Sequence, residues 1–353
     1  MARTLSRRDV LKASSALAFA LPTMPLRAAA PPPTAVTPEL IAAAQKEGKV
    51  VYYTSIDLPL AEKIAKAFEA KYAGIAVRVE RTGAERVFQR IGQEYGSRIY
   101  AVDVVNSSDA AHFIAWKRDG ILQAYVPEDV AKFYPPEHRD PDGLFASFRV
   151  GMSVIGYNTN LVNATDAPKS FADLLDPKWS GKMVKAHPGY SGNVMSATFQ
   201  LTRDLGWEYL EKLAKQKIMQ VQSSTDPPKK LALGERAVMA DGNDYNLIQL
   251  KERGQPVEIV YPSEGTPFIT GPTAIFKSAP NPNAARLFQS FLHSREGQQL
   301  LVDFARQHSV HAQVTEKPGA RKLSEIKLMR NDPAGVETQA EEIKARYAKI
   351  FGV

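Results

Sequence analysis

The 353-residue chain contains no cysteine. Disulfides, thiolate metal sites, a cysteine nucleophile and a lipidated amino-terminal cysteine are therefore excluded. Such a chain is also safe in an oxidising compartment. Its six histidines form no His-Glu-x-x-His run, so that zinc hydrolase pattern is missing. His308 and His311 stand three apart without a carboxylate partner in sequence, and His187-Pro188 reads as a strand end. No apolar run is long enough to span a bilayer. No block of five like charges occurs beyond residue 30, and no aromatic residues interleave with a basic stripe, so a nucleic-acid footprint is lacking. There is no P-loop, and no dinucleotide glycine pattern follows the first predicted strand.

What is present is ordinary for a soluble globular protein, with 44% hydrophobic and 24% charged residues. The 24 prolines and 22 glycines are scattered and mark turns. The formal charge is +7, of which residues 1–30 contribute +4 (Arg3, Arg7, Arg8, Lys12 and Arg27 against Asp9), leaving +3 for the rest. Ser6-Arg7-Arg8-Asp9-Val10-Leu11-Lys12 resembles the twin-arginine export motif. An apolar stretch from Ala13 to Leu26 follows, broken by Ser14, Ser15, Pro22, Thr23 and Pro25, and then the small residues Ala28, Ala29 and Ala30. Basic, apolar, small is the order of an export signal, with removal expected near residues 28–30 and the periplasm as destination.

From residue 31 onward, turn signals and periodicity alternate. Thr37-Pro38 opens a helix that Gly48 ends. Lys49–Thr54 reads as a buried strand, Leu58–Tyr72 as an amphipathic helix, and Ile75–Glu80 as a strand. A helix around Val87 and Ile91, a strand over Val102–Val105 and a helix over His112–Arg118 follow. Strands alternating with helices at this spacing predict βαβ units and a parallel sheet. Phe145–Tyr157 reads as a long extended segment crossing to a second lobe, and Gly271–Phe276 as the crossing back. Helices are predicted at Ser170–Leu175, Ser191–Arg203, Leu205–Gln216, Pro227–Leu233, Tyr245–Arg253, Asn283–Phe291, Glu296–Gln307 and Glu337–Phe351. Strands are predicted after Gly234 and over Val257–Tyr261.

Three stretches carry a family resemblance. The first is Tyr157-Asn158-Thr159-Asn160-Leu161 followed by residues 167–182, from Ala167-Pro168-Lys169-Ser170-Phe171 to Trp179-Ser180-Gly181-Lys182. The second joins Gly265-Thr266-Pro267-Phe268 to residues 271–277. The third runs from Pro282 to Phe288 and on through Phe291-Leu292 to Ser294-Arg295-Glu296-Gly297-Gln298. In this order the chain resembles the extracellular solute-binding proteins that include ferric-iron, spermidine, thiamine, phosphonate and sugar-phosphate receptors. The resemblance implies an α/β, two-lobed periplasmic binding protein fold of type II with two crossover strands as a hinge. Residues 1–30 are then the signal peptide, 31–148 with 270–353 the first lobe, and 149–269 the second lobe with its crossovers. It also implies a monomer that hands a small ligand to the permease of an ABC importer. No enzymatic activity and no cofactor are expected. The lobes close on ligand by hinge motion.

In open α/β sheets ligands sit beyond the carboxyl ends of strands, at helix amino termini, where free N–H groups favour anions. That rule selects Thr54 and Ser55, Thr82 and Gly83, Ser107 and Ser108, Tyr190-Ser191-Gly192, and Asp244 with Tyr245. Ordinary helix capping uses the same residue types. Arg81, Arg149 and Lys229 are possible sources of positive charge. Ferric-binding relatives use a His, a Glu and a Tyr pair, and Ile56, Ser108 and Asp244-Tyr245 stand at those positions here, so one ligand type of four survives. A small oxyanion-bearing molecule such as a phosphonate, phosphate ester or carboxylate is the leading expectation, with no metal. A ferric-iron receptor with altered ligands is the first alternative. An exported transferase on the same bilobal fold is the second. Gly189-Tyr190-Ser191-Gly192-Asn193 is not a nucleophile elbow, because Asn193 replaces the second glycine of G-x-S-x-G.

Overall fold

A computed structural model describes residues 29–318 and 321–353. The arginine pair, the apolar stretch and Ala28 lie outside the described residues. Helix α1 (Pro38–Glu47) is capped by Thr37, whose Oγ1 accepts the Leu40 N–H at 3.3 Å, and ends at Gly48 with φ 73°. The chain then alternates through β1 (Lys49–Thr54), α2 (Leu58–Lys71), β2 (Ala76–Arg81), α3 (Ala84–Gly96), β3 (Val104–Asn106) and α4 (Ala110–Arg118). β1 pairs in parallel with β2 and β3, as the βαβ spacing predicts. A short β4 (Leu122–Gln123) and α5 (Glu128–Phe133) lead into β5 (Ala146–Asn158).

The second half contains β6 (Met183–Ala186), α6 (Gly192–Leu205), α7 (Trp207–Ala214), β7 (Met219–Val221), α8 (Asp226–Ala232), β8 (Val238–Asn243), α9 (Asp244–Glu252) and β9 (Val257–Val260). β10 (Phe268–Phe276) returns to the first half, followed by α10 (Pro282–His293), α11 (Arg295–Leu300) and α12 (Pro333–Phe351). The strand order is β2-β1-β3-β10-β5-β8-β6-β7, with β4 beside β10 and β9 beside β5. The first part of β5 pairs with β10, whereas its second part pairs with β8 and β9. β5 and β10 are thus the two segments through which the halves join. Both are buried along nearly their whole length, as suits strands covered on both sides.

Each half has its own core. In the first, Phe68 meets Phe288 edge-on at 5.0 Å and Phe291 at 5.6 Å, over Val50, Tyr52 and Ile64. In the second, Phe171, Leu174, Trp179, Leu210 and Val238 pack together with Tyr347.

Three segments differ from their prediction. Residues 170–175 form only a 3-10 turn over Ala172–Leu175, because Pro168 and Pro177 bracket a run too short to sustain an α-helix. The helix expected over 296–307 stops at Leu300 and becomes a π-helical turn over Leu301–Ala305. Finally, α12 does not sit on the first half alone. Val336 and Ile343 share a cluster with Ala111 of α4 and with Met195 and Phe199 of α6, so this helix straddles both halves.

Candidate functional site

Four helix starts bring unsatisfied backbone donors to the junction of the halves. Asp57, Gly83, Ser191 and Asn243 precede α2, α3, α6 and α9, and none makes a side-chain cap hydrogen bond. The first N–H groups of a helix need a partner. Thr37, Asp109, Ser294 and Asp332 supply one for α1, α4, α11 and α12. The side chains at the four uncapped starts are therefore not spent as caps.

Between the halves lies a cavity of about 270 Å³ lined by Ser55, Thr82, Gly83, Ser108, Tyr190, Ser191 and Tyr245, seven of the residues that the helix-start rule selects. The halves touch around it. A Cβ on Gly83 would lie 3.2 Å from the Tyr190 carbonyl oxygen, and one on Gly192 would lie 2.5 Å from Asp109 Cβ.

Four selected residues do not line the cavity. Thr54 is fully buried, with Oγ1 accepting the Ile56 N–H at 3.2 Å and lying 3.3 Å from Asn106 Oδ1. Ser107 is spent on the Asp109 N–H at 3.1 Å and on His112 Nδ1 at 3.2 Å. Gly192 is the close-approach point against Asp109 and offers no side chain. Asp244, expected as a ligand contact, is fully buried behind the cavity. Its Oδ1 accepts the Met152 N–H at 3.1 Å, and its Oδ2 lies 3.4 Å from His308 Nε2, an ion-pair distance without hydrogen-bond geometry. Its charge is committed to the hinge strand and the imidazole.

The charge in the cavity comes from arginine. Arg149 on β5 is 6% exposed, and its Nε has no hydrogen-bond partner. Its Nη2 reaches only Ser55 Oγ, at 3.5 Å. No carboxylate within ion-pair distance of it occurs among the described residues. Its side chain runs along Gly271, where a Cβ would stand 3.0 Å from its Cγ and Nε and would push it aside. A buried guanidinium with no counter-charge is costly unless an anion joins it. Arg81 and Arg86 also line the cavity, whereas Lys229 does not. The carboxylate at its edge, Glu85, is already engaged. His112 at 3.7 Å and Lys344 at 3.3 Å hold its carboxyl down to about 2.

The remaining wall is neutral. Asn193 Nδ2 donates to Asn243 Oδ1 at 2.8 Å, and Asn243 Nδ2 lies 3.2 Å from Ser224 Oγ and from the Tyr245 hydroxyl. Burial pushes the Tyr245 hydroxyl well above its ordinary value, so it stays a neutral phenol. Gln222, Ser223, Ser224 and Thr225 also line the cavity and were missed in the sequence. The short β7 before them hides the strand-to-helix pattern, although Ser223-Ser224-Thr225 before Pro227 is a readable helix start.

Two α/β halves, two joining strands and a polar cleft between them define a two-lobed binding protein of the type II periplasmic fold. Residues 101–327 match the family described as bacterial extracellular solute-binding protein, and the chain belongs to that family. It is similar to the Actinobacillus pleuropneumoniae periplasmic binding protein AfuA, whose structure holds fructose 6-phosphate. The identity is 26% and the TM-score 0.80, covering 87% of this chain and 99% of that one. It is also similar to iron-bound HitA from Pseudomonas aeruginosa, at 24% identity and TM-score 0.74, over 85% and 99% of the two chains. A Sinorhizobium fredii relative, named "Probable ABC transporter periplasmic-binding protein", is 22% identical over 80% of this chain and 81% of its own length.

Proposed function

We propose that this chain is the periplasmic receptor of an ABC importer and that it captures a small oxyanion-bearing organic molecule, a phosphonate, phosphate ester or carboxylate. The carrying observation is the buried, unpaired Arg149 facing a cavity ringed by uncapped helix starts. Charge and backbone N–H groups together form an anion site. The resemblance to AfuA, with its bound sugar phosphate, and the name of the Sinorhizobium relative agree with this reading. The receptor hands its ligand to permease subunits in the inner membrane. Among the described residues no helix is long and apolar enough to cross a membrane. Export through the twin-arginine route is part of the proposal and rests on residues 6–12.

The ferric alternative loses support at its donors. Ile56 is buried and apolar, Ser108 offers a neutral hydroxyl, and Asp244 is engaged by Met152 and His308, whereas Fe(III) calls for free anionic oxygens. The enzyme alternative gains none. Ser107 beside His112 is fully buried and lies outside the cavity.

Calorimetric titration with fructose 6-phosphate, 2-aminoethylphosphonate and ferric citrate tests the reading. At least one organic anion is expected to bind, and Arg149→Met is expected to weaken it by about 100-fold, as loss of charge-assisted hydrogen bonds does. Binding of ferric citrate alone, with a tyrosinate-to-iron absorption band, would overturn it.

A further inference from the structure

Against the paired strands β5 and β10 lies a second, small cavity of about 10 Å³, which shares Arg149, Asn193 and Tyr245 with the cleft and is also lined by Gln307. Gln307 is 2% exposed, and neither Nε2 nor Oε1 has a hydrogen-bond partner. The chain works to place it there. The π-helical turn Leu301–Ala305 is followed by Arg306 in the left-handed region, at φ 60° and ψ 22°. Arg306 is held by Glu252 at 2.7 Å, and His308 then bridges to Val150 of β5 through two backbone hydrogen bonds of 3.3 Å. Gln307 also lines a cavity of about 410 Å³ formed with residues of α9 and β9, so it borders both spaces.

We infer that Gln307 is a specificity-determining residue that reads a hydroxyl group of the ligand, so that the solute is a hydroxylated organic anion. This rests on the oxyanion reading above and narrows it. The two residues lining this space carry three buried polar atoms without partners: Arg149 Nε and Gln307 Nε2, which donate, and Gln307 Oε1, which accepts. An anionic oxygen satisfies the two donors and repels the acceptor. An ammonium satisfies the acceptor and meets the arginine charge. A hydroxyl accepts from the donors and gives its own proton to Oε1, and its single oxygen suits a space the size of one water-sized group. The anionic head then stays at the helix starts, near Gly83 and Ser191.

The test compares glycerol 3-phosphate with n-propyl phosphate, which has the same carbon count and charge without the hydroxyls. The wild type is expected to prefer glycerol 3-phosphate by about ten-fold. In Gln307→Met that ratio falls to near one, through loss of affinity for glycerol 3-phosphate alone. The unfolding midpoint should hold or rise, because the variant removes an unsatisfied buried amide. Gln307→Leu serves as a second variant if Met disturbs folding. Binding of both esters with an equal ratio in wild type and variant sinks the role of Gln307 and leaves the oxyanion reading standing, as does a variant that loses both esters equally. Binding of neither ester by the wild type sinks the role of Gln307, while the oxyanion reading is decided by the titrations above.

Discussion

His308 and Asp244 set a pH dependence that a single side chain carries. Burial would lower the imidazole value, but Asp244 and Glu316, at 3.4 and 3.2 Å, override it and push His308 up to about 10. An unfolded chain releases that proton near 6.5. The native state therefore holds an extra proton between these values. The stabilisation is complete below pH 6.5 and is lost as pH rises through 10. Urea midpoints should fall from pH 7 to pH 10. His308→Gln should be less stable at pH 7 by about 3 kcal/mol, the usual result of leaving one partner of a buried pair alone. The gap between the two proteins should narrow by pH 10, and a gap that stays constant would remove the ion pair from the account. Residue by residue, the hydroxyl and glycine positions after strands were legible because helix starts obey local rules. Asp244 was not, since its partners, Met152 and His308, lie 92 and 64 residues away in sequence. Arg149 reads in sequence as one more cation, and only its burial singles it out. Gln307 carries no local signal at all.

The helices α4 and α6 meet head to head across the cleft, and Gly192 makes this possible. A Cβ there would stand 2.5 Å from Asp109 Cβ and 2.8 Å from Asp109 N, which no rotamer change relieves. Gly192→Ala should force the two helix starts apart. Binding of the organic anion found by titration should weaken by about ten-fold, because a ligand that grips both halves is penalised by any obstacle to closure. Small-angle scattering should show a larger radius of gyration for the liganded variant than for the liganded wild type. The ligand-free unfolding midpoint should not change, and unchanged affinity and radius would count against the close approach. At this scale the βαβ alternation of the first half and both joining strands were readable from periodicity and from Gly and Pro punctuation. β6 was not. Its sequence, Met-Val-Lys-Ala, carries a lysine that reads as surface, whereas Lys185 is 1% exposed and neutralised by Asp241 at 2.5 Å. β7, at three residues, is too short to show a period.

The molecule as a whole is expected to unfold as one unit despite its two cores. β5 and β10 belong to both halves, so neither core can be lost while the other keeps its central strands. α12 adds a second tie. Its Lys344 reaches Glu85 of α3 at 3.3 Å, its Glu337 pairs with Arg118 of α4, and its Tyr347 packs in the core of the second half. Trp116 lies in a core of the first half and Trp179 in that of the second, while Trp207 edges both the second core and the cluster under α12. The Trp116→Phe, Trp207→Phe double variant leaves fluorescence from the second half alone, and the Trp179→Phe, Trp207→Phe double variant leaves it from the first. Both reporters should give one midpoint, equal to that from helical circular dichroism. The same anion at one hundred times its dissociation constant should stabilise the protein by about 2.7 kcal/mol. Because the cleft is built from both halves, that shift should appear equally in the two fluorescence signals. Separate midpoints, or a shift confined to one reporter, would mean that the joining strands and α12 do not couple the halves and that the ligand is held by one of them alone.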